Sequence, residues 1–289
     1  MDNIKGIIRK NNIRLTKALG QNFLNDESIV NRIVDAADVG KEDLVIEIGP
    51  GIGSMTHELC KRSGEVFAVE IDARLIPVLA QNLREFSNIH IINNDILKLD
   101  FKRDIIGLRK SEFKPGAVKV AANLPYYITT PIIMKLLEEN PGIDVMVFMV
   151  QKEVAERMTA APGGKDYGAL SLAVRYYSHP TSVFDVPPHC FIPQPGVYST
   201  VIRLDIFKTP PVTVKSKELF FKIVKAAFGQ RRKTLLNALS NSGCLAQDKQ
   251  AIREVLEGTG IGESCRGETL GIKQFAQLSN AFFEKGNLL

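Results

Sequence analysis

The amino-acid sequence predicts an α/β fold: a domain built on a mostly parallel sheet, followed by a smaller, all-helical C-terminal domain. Three observations predict it. Apolar runs of strand length alternate with helix-like segments through the first half of the chain. A glycine-rich turn follows the first of those runs. After about residue 207 the pattern becomes wholly helical and basic.

The five runs are "DLVIEIG", "EVFAVEID", "IHIINND", "AVKVAAN" and "DVMVFMVQ". They are nearly continuous in apolar residues, as expected of strands covered by helices on both faces. The segments "SMTHELCKRS", "ARLIPVLAQNLREF" and "TPIIMKLLEEN" carry helical patterns between them, giving the βαβ alternation of a parallel sheet. The proline-dense stretch "VFDVPPHCFIPQPGV" reads as an extended loop, and "YSTVIRLDIF" as a further strand. Beyond "KTPPVTVKS" the chain reads as helices in "KELFFKIVKAAFGQRRKTLLNALS", "KQAIREVLEG" and "LGIKQFAQLSNAFFEK". The division expected from this composition shift is 1–207 for the sheet-based domain and 208–289 for the helical one.

With 289 residues, 45% hydrophobic and 24% charged, the chain can bury a substantial core. Its four cysteines, Cys60, Cys190, Cys244 and Cys265, form no CxxC pair. Neither a metal site nor a disulfide framework follows, and a reducing compartment is the simpler inference. The N-terminal "MDNIKGIIRKNNIRL" is too polar for a signal peptide, and no apolar run is long enough to span a membrane. The expected location is cytoplasmic. From Ile206 onward there are 13 Lys+Arg against 7 Asp+Glu, whereas the rest of the chain is close to neutral. A basic lobe beside a neutral one points to a polyanion such as nucleic acid. An ordinary solvated helical surface is the bland alternative.

In "VIEIGPGIGSMT", Gly49, Gly51 and Gly53 follow a strand and open a helix, where glycines let backbone N–H groups approach a ligand. A dinucleotide fingerprint needs glycine where Ser54 stands, which disfavours a nicotinamide dehydrogenase. Glu70 ends the second strand, where a carboxylate can accept both hydroxyls of a ribose. Asp95 ends the third, placed to accept a bond from an adenine amino group. "NLPYYITTP" follows the fourth, and because Pro125 cannot donate to a sheet ladder the strand must stop near Asn123. Each feature alone has a structural explanation as turn, cap or surface carboxylate. As an ordered set on one sheet edge they imply an adenosine ligand without a required pyrophosphate, and S-adenosylmethionine fits.

The amino group of a nucleobase is a weak nucleophile because its lone pair is delocalised into the ring. The Asn123 side-chain oxygen and the Leu124 carbonyl can accept its two hydrogens, with Pro125 fixing the turn and Tyr126 offering a face for stacking. His57, His189 and the cysteines read as structural or solvated.

In fold class and motif order the chain resembles the class I, Rossmann-like methyltransferases, and "NLPY" resembles the turn of amino-group methyltransferases. A closer resemblance rests on "KALGQNFLND", "EIGPGIGSMT", "NLPYYITTPII", "CFIPQPGVYST" and "AFGQRRKTLLNAL" together. These are similar to the ribosomal RNA small-subunit adenine dimethyltransferase family. The resemblance implies N6,N6-dimethylation of two adjacent adenosines near the 3′ end of 16S RNA, with the small subunit as partner and the enzyme a monomer. It implies cofactor contacts at Asn22, Leu24, Gly49, Gly51, Glu70, Asp95 and Asn123. It also implies that Phe191, with Tyr126, sandwiches the target adenine.

"GQRRKTLLNAL" places Arg231, Arg232 and Lys233 at a helix start, where cations oppose the macrodipole unless RNA phosphate or a nearby acid compensates. Lys222 and Lys225 extend the patch. The competing readings are a large-subunit adenine methyltransferase and a non-catalytic RNA-binding assembly factor. The match at "AFGQRRKTLLNAL" favours the small subunit, and an intact Asn123–Tyr126 turn argues for catalysis.

Overall fold

Each of the five apolar runs forms a strand; burial on both faces explains the apolar character of the inner ones, whereas the run over Ile89–Asn93 lies at the sheet edge and is only partly buried. The computed structural model describes Gly6 and residues 20–108, 115–139, 142–243, 245 and 248–286. Lys17 to Leu19 of the "KALGQNFLND" segment, Cys244 and nearly all of the N-terminal stretch lie outside the described residues. A two-residue strand β1 (Phe23–Leu24) precedes the main sheet. The parallel strands are β2 (Leu44–Ile48), β3 (Glu65–Glu70), β4 (Ile89–Asn93), β5 (Val118–Asn123) and β6 (Val145–Gln151). All residues of β2 and β3 are buried, and Ile46 of β2 lies between Phe67 of β3 and Val120 of β5.

Three further strands follow: β7 (Ser178–Val186), β8 (Phe191–Ile192) and β9 (Ser199–Ile206). The seven-stranded sheet has the order β4-β3-β2-β5-β6-β9-β7, with β9 antiparallel to β6. The chain runs outward from β2 to β4, then returns to the other side of β2 for β5 and β6. Connections therefore diverge between β2 and β5, opening a crevice beyond their carboxyl ends. Strand β7 was not expected from sequence. It is an edge strand, largely solvent-facing and interrupted by Pro180, so its pattern is not apolar.

Helix α1 (Glu27–Ala36) starts at Asp26, whose side chain accepts the N–H groups of Ser28 and Ile29. Helices α2 (Ser54–Arg62), α3 (Ile76–Asn82) and α4 (Thr129–Glu139) make the crossovers. The segment expected to be helical over 73–86 is helical only over α3, which carries Pro77 in its first turn, where proline is tolerated.

The chain divides into two compact units, and the division differs from the sequence-based one at Glu156–His179 and, by one residue, at Phe207. The first unit runs through Ala155 and resumes for Pro180–Ile206; the second comprises Glu156–His179 and Phe207–Leu289. Helix α5 (Lys152–Thr159) spans the first break, and α6 (Ala169–Tyr177) belongs to the second unit with α7 (Lys217–Gly229), α8 (Leu235–Ser240), α9 (Lys249–Gly258) and α10 (Ile272–Glu284). Aromatic packing explains the grouping. Tyr176 on α6 lies 5.2 Å from Phe220 on α7. Tyr167 stacks edge-on against Phe228, and its hydroxyl donates to the Leu270 carbonyl at 2.9 Å.

Candidate active site

The crevice at the divergence of β2 and β5 is a cavity of about 880 Å³, counted with its open mouth. The glycine loop after β2 forms one wall. Gly51 adopts φ +61°, and a Cβ there would lie 2.7 Å from the Phe23 ring, so only glycine fits between ring and loop. Its N–H donates to Glu70 Oε2 at 3.0 Å, while Asp72 N–H donates to Glu70 Oε1 at 2.9 Å. Burial raises the Glu70 carboxyl above its ordinary range, against the pull of those donors.

The opposite wall is the turn after β5. Leu124 N–H still reaches the Met149 carbonyl of β6 at 3.1 Å, but Pro125 has no N–H and the ladder ends. The Pro125 carbonyl then accepts from Ile128 N–H at 3.2 Å and from Thr129 Oγ1 at 2.9 Å, closing the turn into α4. Asn123 Nδ2 donates to the Asn22 carbonyl at 2.8 Å. That bond leaves the amide oxygen, on the other side of the same planar group, to accept. The Tyr126 hydroxyl is 2.7 Å from Ser199 Oγ, which holds its ring in the wall, and burial raises its pKa.

A strap formed by Gly20–Leu24 completes the cavity. Gln21 donates to Asp72 at 2.9 Å, and β1 pairs antiparallel with β8, Phe23 facing Ile192 and Leu24 facing Phe191. Asn25 N–H adds a bond to the Cys190 carbonyl at 2.7 Å. The Gln21–Asp72 bond and the β1–β8 pairing join residues far apart in the chain, and no local pattern signals them.

Of the expected cofactor residues, Asn22, Leu24, Gly49, Gly51, Glu70 and Asn123 line this one cavity. Leu124, Pro125 and Tyr126 line it too. Asp95 does not; it sits past the end of β4, where its Oδ1 accepts Leu97 N–H at 2.9 Å. Phe191, set beside Tyr126 by the resemblance, is 1% exposed and packed with Leu24, Val186 and Val201, and it is not among the residues that line the cavity.

The basic residues lie on the second unit. Arg231, Arg232 and Lys233 occupy the turn between α7 and α8, not the first turn of a helix, and all three are exposed. Arg231 pairs with Glu268 at 3.0 Å and Lys222 with Glu218 at 2.8 Å, while Lys225 is exposed on α7. Among the described residues there is no cluster of His, Cys, Asp or Glu able to hold a metal, and no helix long and apolar enough to cross a membrane. Cys60, Cys190 and Cys265 are free thiols.

The strand order, with glycine loop and Asn-Leu-Pro-Tyr turn facing each other across its divergence, defines a class I methyltransferase with a Rossmann-like α/β fold. The chain superposes on the crystal structure of a dimethyladenosine transferase from Plasmodium falciparum with a TM-score of 0.78 at 25% identity, covering 92% of this chain and 98% of that one. For the 23S rRNA methyltransferase ErmE the TM-score is 0.66 at 25% identity, covering 90% of this chain and 99% of that one. The model of the ribosomal RNA adenine dimethylase family matches residues 12–278, and the chain belongs to that family. It is also 53% identical over 281 residues to the ribosomal RNA small subunit methyltransferase A of Alkaliphilus oremlandii, covering 97% of this chain and 96% of that protein.

Glu47, on β2 two residues before Gly49, also lines the cavity. It is 1% exposed, and its Oε2 has no hydrogen-bond partner among the described residues. Burial, reinforced by the Glu70 charge, pushes its carboxyl up to about 8. Below the ordinary carboxyl range the group is protonated in folded and unfolded chains alike. As pH rises toward about 8 the unfolded chain loses that proton and the folded chain keeps it, so stability falls. Glu47→Gln is therefore expected to match the parent near pH 4.5 and to exceed it by a few kcal/mol, on the order of 1.4 per unit of pKa shift, at pH 8. Urea unfolding across that range measures the difference, and a gap that does not widen with pH contradicts it.

Proposed function

We propose that this methyltransferase dimethylates the N6 amino groups of two adjacent adenosines near the 3′ end of 16S ribosomal RNA, in the small subunit, with S-adenosylmethionine as donor. The observation that carries the reading is the Asn123 amide, oriented by the Asn22 carbonyl and set across the cavity from the glycine loop. The residues present fit the donor. Glu70 keeps acceptor capacity for a ribose diol beyond its two backbone bonds, and the Glu47 carboxyl keeps an oxygen with no partner among the described residues, free to hydrogen-bond the ligand. Asn22, Leu24, Gly49 and Gly51 enclose the same space, whereas Asp95, outside the cavity lining, keeps its expected adenine contact only as what the family resemblance implies. When bound, S-adenosylmethionine supplies a methyl group on a positively charged sulfur.

The protein's own contribution is positioning. Asn123 Oδ1 and the Leu124 carbonyl accept the two hydrogens of the target amine, which draws its lone pair out of conjugation and aims it. Tyr126, fixed through Ser199, provides the face on which the extruded base rests. No side chain must remove a proton before the methyl group moves, because acceptance and alignment do that work. The basic turn of the second unit, Arg231–Lys233 with Lys222 and Lys225, grips RNA phosphates, and the ion pairs of Arg231 and Lys222 are exposed enough to be exchanged for them. The reading places the enzyme in the cytoplasm as a monomer, and makes it a participant in small-subunit biogenesis.

Asn123→Ala should lower the single-turnover rate by about 10²–10³-fold, as loss of one preorganised hydrogen-bonding group does elsewhere, with a much smaller change in donor affinity measured by calorimetry. Equal losses in both would show that Asn123 acts only in binding. Replacing Arg231 and Arg232 together by Ala should weaken binding to small subunits and leave donor affinity intact. The salt dependence of that binding should flatten by about one unit of slope for each phosphate no longer neutralised. Unchanged affinity for the particles would remove the basic turn from the interface.

A further inference from the structure

Tyr127 follows Tyr126 directly but does not share its environment. It is 55% exposed, among the most exposed large apolar side chains of the described residues, whereas Tyr126 is half-buried and tied to Ser199. Its ring is nonetheless placed by contacts. A Cβ on Gly20 would lie 3.2 Å from Tyr127 Cδ1, 3.3 Å from Cε1 and 3.5 Å from Pro125 Cβ. The ring edge thus rests across the strap at a glycine of φ +59°, beside the proline of the turn, at the mouth of the cavity that Gly20, Pro125 and Tyr126 line. The strap supports the edge and leaves much of the ring in solvent.

Extruding a base from a stack leaves its neighbour with one uncovered face, and that loss is part of the cost of extrusion. An aromatic ring at the mouth can cover that face, because base–aromatic stacking is worth about 1–3 kcal/mol and tolerates any base. We propose that Tyr127 is a second base-stacking position, receiving the nucleotide adjacent to the adenosine held at Tyr126. The inference rests on the RNA adenine reading above and adds a subsite to it. With two adjacent adenosines as targets, the same ring serves both: whichever base occupies the cavity, a neighbour remains to be covered.

The test measures steady-state methyl transfer to unmethylated small subunits by the parent, Tyr127→Ala, Tyr127→Leu, Tyr127→Phe and Tyr127→Trp, together with donor affinity and melting temperature. The parent's activity comes first; without transfer the functional reading fails, and this subsite with it. Given transfer, Tyr127→Ala and Tyr127→Leu are expected to raise KM for the particle about tenfold, with kcat and donor affinity within about twofold, and Phe and Trp to restore KM. If Leu performs as well as Phe, apolar bulk suffices and stacking is wrong. If donor affinity falls instead of KM rising, Tyr127 only braces the strap. An unchanged KM in Tyr127→Ala also overturns the subsite, while leaving the functional reading intact.

Discussion

The site exists because β5 stops pairing at one residue. Leu124 makes the last ladder bond to β6, and Pro125, with no N–H to offer, turns the chain away. Had the strand continued, the Asn123 amide would lie over a closed sheet and the Leu124 carbonyl would be spent on a neighbour. Instead the turn is closed locally by Ile128 and Thr129, so its acceptors are rigid without being consumed by the sheet. The strap then depends on this stop, since the Asn22 carbonyl can reach Asn123 only where the strand has ended. Rigidity matters because a reaction driven by alignment loses rate steeply when its acceptors wander.

Around that turn, the cavity concentrates groups that a folded protein ordinarily avoids burying. Two buried carboxyls, Glu47 and Glu70, lie on adjacent strands, and each is held above its usual range by burial. Glu70 is partly compensated by backbone N–H groups, whereas Glu47 keeps an oxygen without a partner among the described residues. Such uncompensated polarity costs stability in the empty protein. Under the proposed function a polar, cationic donor would recover that cost, and folding and donor binding would draw on the same groups.

The sheet was legible because buried parallel strands are continuous apolar runs, and Glu70, Asn123 and the glycines were legible because they close those runs. Local patterns reached less far elsewhere. Strand β7 is an exposed edge containing Pro180, and α6 joins the helical unit through Tyr176, a long-range aromatic contact. The role expected of Phe191 came from the family resemblance and not from its surroundings, and its packing in the core follows from the pairing of β8 with β1. The cations of Arg231–Lys233 were expected to start a helix, and they fall in the turn just before Thr234, the N-cap of α8. The Glu47 oxygen without a partner among the described residues is a property of three-dimensional burial, which no spacing encodes.

The most direct measurement combines the purified protein, methyl-labelled S-adenosylmethionine and, separately, unmethylated small and large ribosomal subunits, followed by nucleoside analysis of the RNA. The account predicts N6,N6-dimethyladenosine in small-subunit RNA, at two adjacent positions near its 3′ end, and no label in large-subunit RNA. Label confined to large-subunit RNA would contradict the assignment of substrate. Binding to small subunits without any transfer would contradict the claim that the turn after β5 is a catalytic device.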